Sequence, residues 1–242
     1  RNVTVEMSLF GEEVTDRDIM DIIERARESI AHNEHEILHS IPVSYYLDGA
    51  RGIADPRKMF GKKLGSDVHM ITGLSGVMHN LAHCVGRCHL NVDDFIAAPY
   101  ASALSCLEED EKQLGVALID IGDGTTDITV YHKGDPVYTT VIPMGGRYVT
   151  TDISYAMRIP PVEAERIKCR YGSARPDYVS SDEEIEVSTI GTEEKKVKKV
   201  HFLASVLAPR VEEILMAARK RLNEEMKESL IQTNIVLTGG TA

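Results

Sequence analysis

The sequence predicts an α/β fold, and three observations carry the prediction. Strand-like apolar runs alternate with amphipathic helical stretches along the chain. The run "GVALIDIG" (115–122) is continuously apolar until its end, as expected of a strand buried on both faces. That strand leads into a turn of Gly, Asp and Thr, "DIGDGTTD" (120–127), and a later strand, "NIVLTGG" (234–240), leads into a second glycine turn.

Composition narrows the class. The 242 residues are 43% hydrophobic, enough for one large or two small cores. No run approaches the roughly 18 apolar residues of a membrane span, and none reads as a secretory leader. A net charge of −11 argues against non-specific binding to nucleic acid or anionic lipid, because the mean field repels both. The four cysteines, Cys84, Cys88, Cys106 and Cys169, suit free thiols in a reducing cytosol. The chain opens on a strand-like stretch and stops just after a strand and its Gly-Gly turn, so we expect it to be part of a longer protein.

The elements follow in order. "RNVTVEMSLF" reads as a strand. Thr15 with Asp18 forms a capping-box pattern ahead of Ile19, Ile22, Ile23, Ala26 and Ile30, which fall on one helical face. "HEILHSIPVSYYL" (35–47) reads as a strand broken or edged by Pro42. Residues 49–66 read as loop, 67–72 as strand and 74–89 as helix. "FIAAPYASALSCL" (95–107) reads as a buried helix of small residues, and "EEDEKQ" (108–113) as a solvated connector. "TDITVYHKG" and "DPVYTTVIPM" form a hairpin across Gly134-Asp135. Gly145-Gly146 opens a helix to about Met157, and Pro160-Pro161 opens another that ends at Gly172 as its C′ residue. Residues 173–200 are polar with short β-like pieces. A helix is expected over about 201–228, with Val206, Ala208, Val211, Ile214, Leu215, Ala218 and Leu222 on one face.

The turn at 120–127 has a chemical reading. Backbone N–H groups in a Gly-rich bend can point together at an anion. Gly122 and Gly124 let the chain approach a phosphate without a Cβ in the way, and Thr125 and Thr126 add hydroxyl donors. Asp120, at the end of a strand, can hold Mg²⁺ through waters, since that ion keeps most of its hydration. The plainer alternative is an ordinary hairpin turn. The second glycine turn, Gly239-Gly240, offers bare backbone against which an adenosine can lie.

Other clusters carry less. In "HNLAHCVGRCH", His79 and His83 are one helical turn apart, as are Cys84 and Cys88, with His89 following. The two pairs point in different directions around a helix and cannot converge on one metal. Cys84 and Cys88 are expected to be small apolar packers. The run "EEKKVKK" (193–199) reads as a solvated hairpin or loop, offset by the acids at 181–186.

"LIDIGDGTTDITVY" resembles the second phosphate motif of the actin superfamily, which includes sugar kinases and heat-shock chaperones, and "IVLTGG" resembles its adenosine motif. Within it the chain resembles the FtsA family of bacterial cell-division proteins. The stretches "EEVTDRDI", "EHEILHSIPVSYYLD", "VIPMGGRYVTTDISYAMRIPPVEAERIK" and "LAPRVEEIL" carry that likeness. The resemblance implies an actin-like (ribonuclease H-like) fold with an FtsA-type 1C α+β domain, lacking the first part of domain 1A and the end of 2A. It implies domain 1C over 1–92, the returning part of 1A over 93–114, domain 2A over 115–154 with 229–242, and 2B over 155–228.

It also implies roles. Gly122, Asp123, Gly124, Thr125, Thr126 and Asp127 would hold the phosphates of ATP, Asp120 would stand near Mg, and Gly239 and Gly240 would meet the adenosine. Glu165 and Lys168 would reach the ribose and adenine, although their i,i+3 spacing also fits an ordinary surface ion pair. The implied function is an ATP-binding scaffold that polymerises, tethers the ring of the tubulin-like protein FtsZ to the inner face of the cytoplasmic membrane, and recruits later division proteins through 1C. FtsZ would bind through 2B, with Arg210 as a candidate contact and a helix-surface arginine as the plainer reading. The membrane would be met only through a C-terminal amphipathic helix, and no nucleic acid is implied. An ATP-hydrolysing relative such as a sugar kinase, and an adaptor with a degenerate cleft, remain the alternatives. The 1C-like module weighs against the first and the intact glycine turns against the second. Ala98 stands where efficient ATPases of the superfamily carry Gln or Glu, which implies weak or absent turnover.

Overall fold

The computed structural model describes residues 1–30, 34–189, 195–225 and 234–241. They form two compact units. One comprises residues 1–118, 129–139 and 233–236; the other comprises 119–128, 140–232 and 237–242.

The first unit opens with β1 (Asn2–Ser8), α1 (Asp16–Ile30), β2 (His35–Leu47), β3 (Ala50–Ile53) and β4 (Lys63–Leu74). The four strands form a sheet in the order β1-β4-β2-β3, and every pairing in it is antiparallel. The capping box starts α1 as its spacing predicts: Thr15 N–H donates to Asp18 Oδ2 at 2.8 Å, and Asp18 N–H to Thr15 Oγ1 at 3.4 Å. The apolar face of α1 then lies on the sheet. Ile19 and Ile22 pack with Val14, Tyr45, Leu47 and Leu64, while Ala26 and Ile30 pack with Val68 and Met70. Pro42 interrupts nothing, because β2 runs through it with a register shift between Pro42 and Ser44. β3 pairs with β2 only at Tyr45–Leu47, so at Pro42 β2 pairs with β4 alone.

Residues 49–66 are not loop throughout, as β3 and the start of β4 fall within them. Asp48 (φ 49°) and Gly49 (φ 89°) form a two-residue left-handed hairpin turn, and Asp48 Oδ1 accepts from the N–H of Lys62 and Lys63 at 2.9 and 2.8 Å. The Asp-Gly pair was the available signal.

The unit continues with α2 (Ser75–Gly86), α3 (Ala98–Cys106) and α4 (Glu109–Leu114). α3 buries only Pro99 and Ala103, so it is not the buried helix expected. "EEDEKQ" is not a bare connector: Glu108 and Glu111 close a capping box, and Lys112 is buried over the Tyr131 ring, paired with Glu109 at 2.7 Å. Cys84 and Cys88 are exposed and do not pack a core. No cluster of three or more His, Cys, Asp or Glu suited to a metal occurs among the described residues.

A second sheet contains β5 (Val116–Ile121), β6 (Thr126–His132), β7 (Asp135–Ile142) and β10 (Asn234–Thr238), in the order β10-β5-β6-β7. The β6–β7 turn is Lys133-Gly134, both at positive φ, one residue before the expected position.

The second unit adds α5 (Gly146–Met157), α6 (Pro161–Tyr171), a 3₁₀ turn (Pro176–Tyr178), the antiparallel ribbon β8 (Glu184–Ser188) with β9 (Lys195–Lys199), and α7 (Val200–Glu225). The end of the expected helix at 226–228, and Glu193 and Glu194 of the charged run, lie outside the described residues. The buried stripe of α7 is Leu203, Ala204, Leu207, Ile214 and Ala218; Leu215, expected on it, is exposed. Gly172 ends α6 with φ −64°, not in the left-handed region. Its lack of a side chain matters for space, since a Cβ there would collide with the Lys168 carbonyl.

Candidate functional site

The site grows from the end of β5. After Ile121 the chain bends through Gly122–Thr125 and re-enters a strand at Thr126. Gly122 N–H donates to the Thr125 carbonyl at 2.9 Å, which closes the bend. Thr126 is buried and donates through Oγ1 to the Met144 carbonyl at 2.8 Å. Thr125 Oγ1 donates to Asp127 Oδ2 at 3.4 Å. Asp123, Gly124 and Thr125 form the exposed rim.

Two further segments seat this bend. The first turn of α5 donates into it: Gly146 N–H to the Gly122 carbonyl and Arg147 N–H to the Asp123 carbonyl, both at 2.8 Å. Helix N-terminal N–H groups have no partner within their own helix, and here the turn's carbonyls satisfy two of them. The approach is so close that a Cβ on Gly145 would stand 2.5 Å from the Gly122 carbonyl oxygen. The Arg147 guanidinium holds the Asp123 carboxylate at 2.9 and 2.5 Å. From the other side, Thr241 N–H donates to the Ile121 carbonyl at 3.1 Å and Thr241 Oγ1 to the Gly122 carbonyl at 3.3 Å. Gly239, at φ +100°, lies against the Asp120 carboxylate. A Cβ on Gly124 would meet nothing within 4 Å.

Charge is concentrated here. Burial pushes the Asp127 carboxyl up, and the nearby Asp120 pushes it further. Two carboxylates that repel one another fit a divalent cation, whose charge would relieve that repulsion. With no third acidic, His or Cys ligand clustered among the described residues, such an ion would take its other ligands from water and phosphate, as Mg²⁺ favours.

Beside the bend a cavity of about 460 Å³ is lined by Ile121, Lys168, Cys169, Gly172, Gly240 and Thr241, among others. Lys168 and Glu165 project from α6 and pair at 2.8 Å. Thr150 Oγ1 lies 2.5 Å from Glu165 Oε2, and the Cys169 thiol donates to Glu165 Oε1 at 3.2 Å. Burial opposes ionisation of Glu165, but these donors outweigh it and bring its pKa down to about 2.

The structure therefore brings Asp120, Gly122, Asp123, Gly124, Thr125, Thr126, Asp127, Gly239 and Gly240 together, with Glu165 and Lys168 beside the same cavity's wall. The sequence reading missed Gly145 and Gly146 as site residues, and with them Arg147, Thr150 and Thr241. The signal was present in "MGGRY", two glycines between a strand and a helix. Arg210 lies elsewhere, on α7. It grips Asp152 of α5 at 2.6 and 3.2 Å, pairs with Glu213, and sits 5.7 Å over the Tyr148 ring. Ala98 is the exposed first residue of α3, in the first unit.

A family model described as cell division protein FtsA matches residues 117–241, and one described as the SHS2 domain inserted in FtsA matches residues 1–72. The chain is 39% identical over 238 residues to the cell division protein FtsA of Escherichia coli (strain K12), covering 96% of this chain and 57% of that protein. It is 37% identical over 243 residues to FtsA of Rhizobium meliloti (strain 1021), covering 99% and 55%. It thus spans just over half the length of the curated relatives it matches. Among solved structures, the PilM–PilN type IV pilus biogenesis complex shares the fold, with a TM-score of 0.59 at 14% identity over 99% of this chain and 60% of that one. The fold is α/β and actin-like. The chain belongs to the FtsA family of cell-division proteins.

Proposed function

We propose that the chain is the greater part of an ATP-binding scaffold of cell division. It polymerises, links the FtsZ ring to the inner face of the cytoplasmic membrane, and recruits later division proteins. The observation that carries the nucleotide reading is the convergence of 120–127, 145–147 and 239–241 on one bend, with a cavity beside it. The exposed rim of Asp123, Gly124 and Thr125 would take the phosphates, with Gly122, Thr126 and Asp127 supporting it. Asp120 would hold hydrated Mg²⁺, which would neutralise phosphate charge. Gly239 and Gly240 would face the adenosine, and Glu165 and Lys168 the ribose and adenine.

The division of labour follows the family. Domain 1C, over 1–92, would contact the next subunit and later division proteins, a reading supported by the SHS2 match to 1–72. Residues 93–114 would belong to 1A, 115–154 with 229–242 to 2A, and 155–228 to 2B, which would bind FtsZ. Arg210 remains a candidate contact there through whatever face its bond to Asp152 leaves open. No helix among the described residues is long and apolar enough to cross a membrane. Attachment would come from a C-terminal amphipathic helix. ATP would act as an assembly ligand turned over slowly.

The test is ligand-linked stability. MgATP should raise the melting temperature, because a ligand that binds only the folded state stabilises it by mass action. Asp120→Ala with Gly124→Val should abolish the rise. An equal rise in wild type and double variant would remove the assignment of the site.

A further inference from the structure

Thr150 sits at the junction of two groups that the nucleotide reading treats separately. It is 8% exposed, on the second turn of α5. Its Oγ1 lies 2.5 Å from Glu165 Oε2, 3.0 Å from Lys168 Nζ and 3.1 Å from the Gly146 carbonyl. A threonine hydroxyl has one proton to give and two lone pairs to receive. Glu165 as a carboxylate only accepts, and Lys168 as an ammonium only donates. The arrangement that satisfies both charges has Thr150 donating to Glu165 and accepting from Lys168. Lys168 Nζ also reaches the Gly146 carbonyl at 3.4 Å.

Gly146 is the residue whose N–H holds the Gly122 carbonyl of the bend. A continuous path of hydrogen bonds therefore runs from Gly122 through Gly146 to Lys168, Thr150 and Glu165. All of it lies within the second unit, and α5 carries both Gly146 and Thr150.

Resting on the nucleotide reading above, we propose that Thr150 is a positioning residue that locks Glu165 and Lys168 in register with the phosphate-binding bend, so that nucleoside and phosphates are held as one rigid ligand. Thr150 touches no ligand itself. It fixes two flexible, rotamer-rich side chains whose ordering would otherwise be a cost of binding.

The test separates nucleoside from phosphate. MgATP and magnesium tripolyphosphate are titrated by competition against a fluorescent ATP analogue, in wild type, Thr150→Val and Thr150→Ser. Valine keeps the shape and removes the hydroxyl; serine restores it. The expected result is about a tenfold loss of MgATP affinity in Thr150→Val, the scale of one hydrogen bond to a charged group. Tripolyphosphate, which meets only the bend, should bind unchanged, and Thr150→Ser should recover ATP affinity. Unchanged ATP affinity in Thr150→Val, or an equal loss for both ligands, overturns the proposal. If wild type binds neither ligand, the nucleotide reading itself fails; if it binds both and the variants behave alike, only the role of Thr150 does.

Discussion

The carboxylate of Asp120 lies directly against the backbone of Gly239. A Cβ built on Gly239 would stand 2.5 Å from Asp120 Oδ1 and 2.5 Å from the Ile121 carbonyl oxygen. Residues 119 positions apart in sequence are thus in contact across the site, and the contact requires glycine twice over, for space and for its φ of +100°.

Gly239→Ala should therefore cost about 2 kcal/mol or more in stability, combining backbone strain and overlap. Gly240→Ala is the control, since its Cβ would meet nothing within 4 Å and its φ is not left-handed. It should change stability by less than about 0.5 kcal/mol. Urea unfolding of both variants checks this, and equal effects would count against the geometry.

Gly145 and Gly124 should separate folding from binding. Gly145→Ala drives a methyl into the carbonyls of Gly122 and Asp123, at 2.5 and 2.8 Å, and should lower stability by about 1–3 kcal/mol. Gly124→Val points into open space and should leave thermal stability without ligand nearly unchanged while removing the shift caused by MgATP. A Gly124→Val protein that still gains stability from MgATP would show that the phosphates lie elsewhere.

His69 makes stability depend on pH. Its ring is 1% exposed, contacting Asn2 Oδ1 at 2.5 Å and Thr139 Oγ1 at 3.0 Å. Burial lowers its pKa from 6.5 to about 4. The folded state therefore resists a proton that the unfolded chain accepts. This contribution is fully present above pH 6.5 and is lost as pH falls towards 4, amounting to about 3 kcal/mol at the lower end. His39, lowered chiefly by burial, acts in the same direction. The measurement is urea unfolding between pH 7.5 and 4.5. His69→Gln should flatten the profile, and parallel profiles would refute the assignment.

Arg210 fastens α7 to α5 through Asp152, with both side chains partly exposed. Solvent screening keeps such a pair modest, so Arg210→Ala should cost about 1–2 kcal/mol. A double-mutant cycle with Asp152→Asn should give a coupling near 1 kcal/mol. Loss of FtsZ binding in Arg210→Ala counts as a direct contact only if Asp152→Asn, equally destabilised, still binds.

ATP turnover should fall well below the roughly 1–10³ s⁻¹ usual for enzymes. Attack on the terminal phosphate needs a group that orients water. The chain carries no acid or amide between Phe95 and Leu107, and alanine at position 98. Phosphate release under polymerising conditions is the measurement, beside Ala98→Glu. Brisk turnover by wild type would move the protein towards the kinase-like alternative.

The sequence by itself determined what depends on neighbours in the chain. The Thr15–Asp18 cap, the α1 stripe from Ile19 to Ile30 and the bend between β5 and β6 are local hydrogen-bonding and periodicity events, and all are present in the structure. The Asp48-Gly49 turn carries a local signal of the same kind, but by sequence residues 49–66 read as loop. Tertiary structure decided what depends on distant atoms. Gly145 and Gly146 look like a helix start until the bend at 122–123 and Thr241 come within contact of them. Leu215 fits a helical stripe by spacing, yet the neighbours of α7 leave it exposed. Cys84 and Cys88 are apolar enough for a core that is not there. Thr150 carries no local mark at all, because its contacts exist only where α5 and α6 bring Gly146, Glu165 and Lys168 around one hydroxyl. Spacing sets which way a side chain points along its own element; only packing sets what it meets.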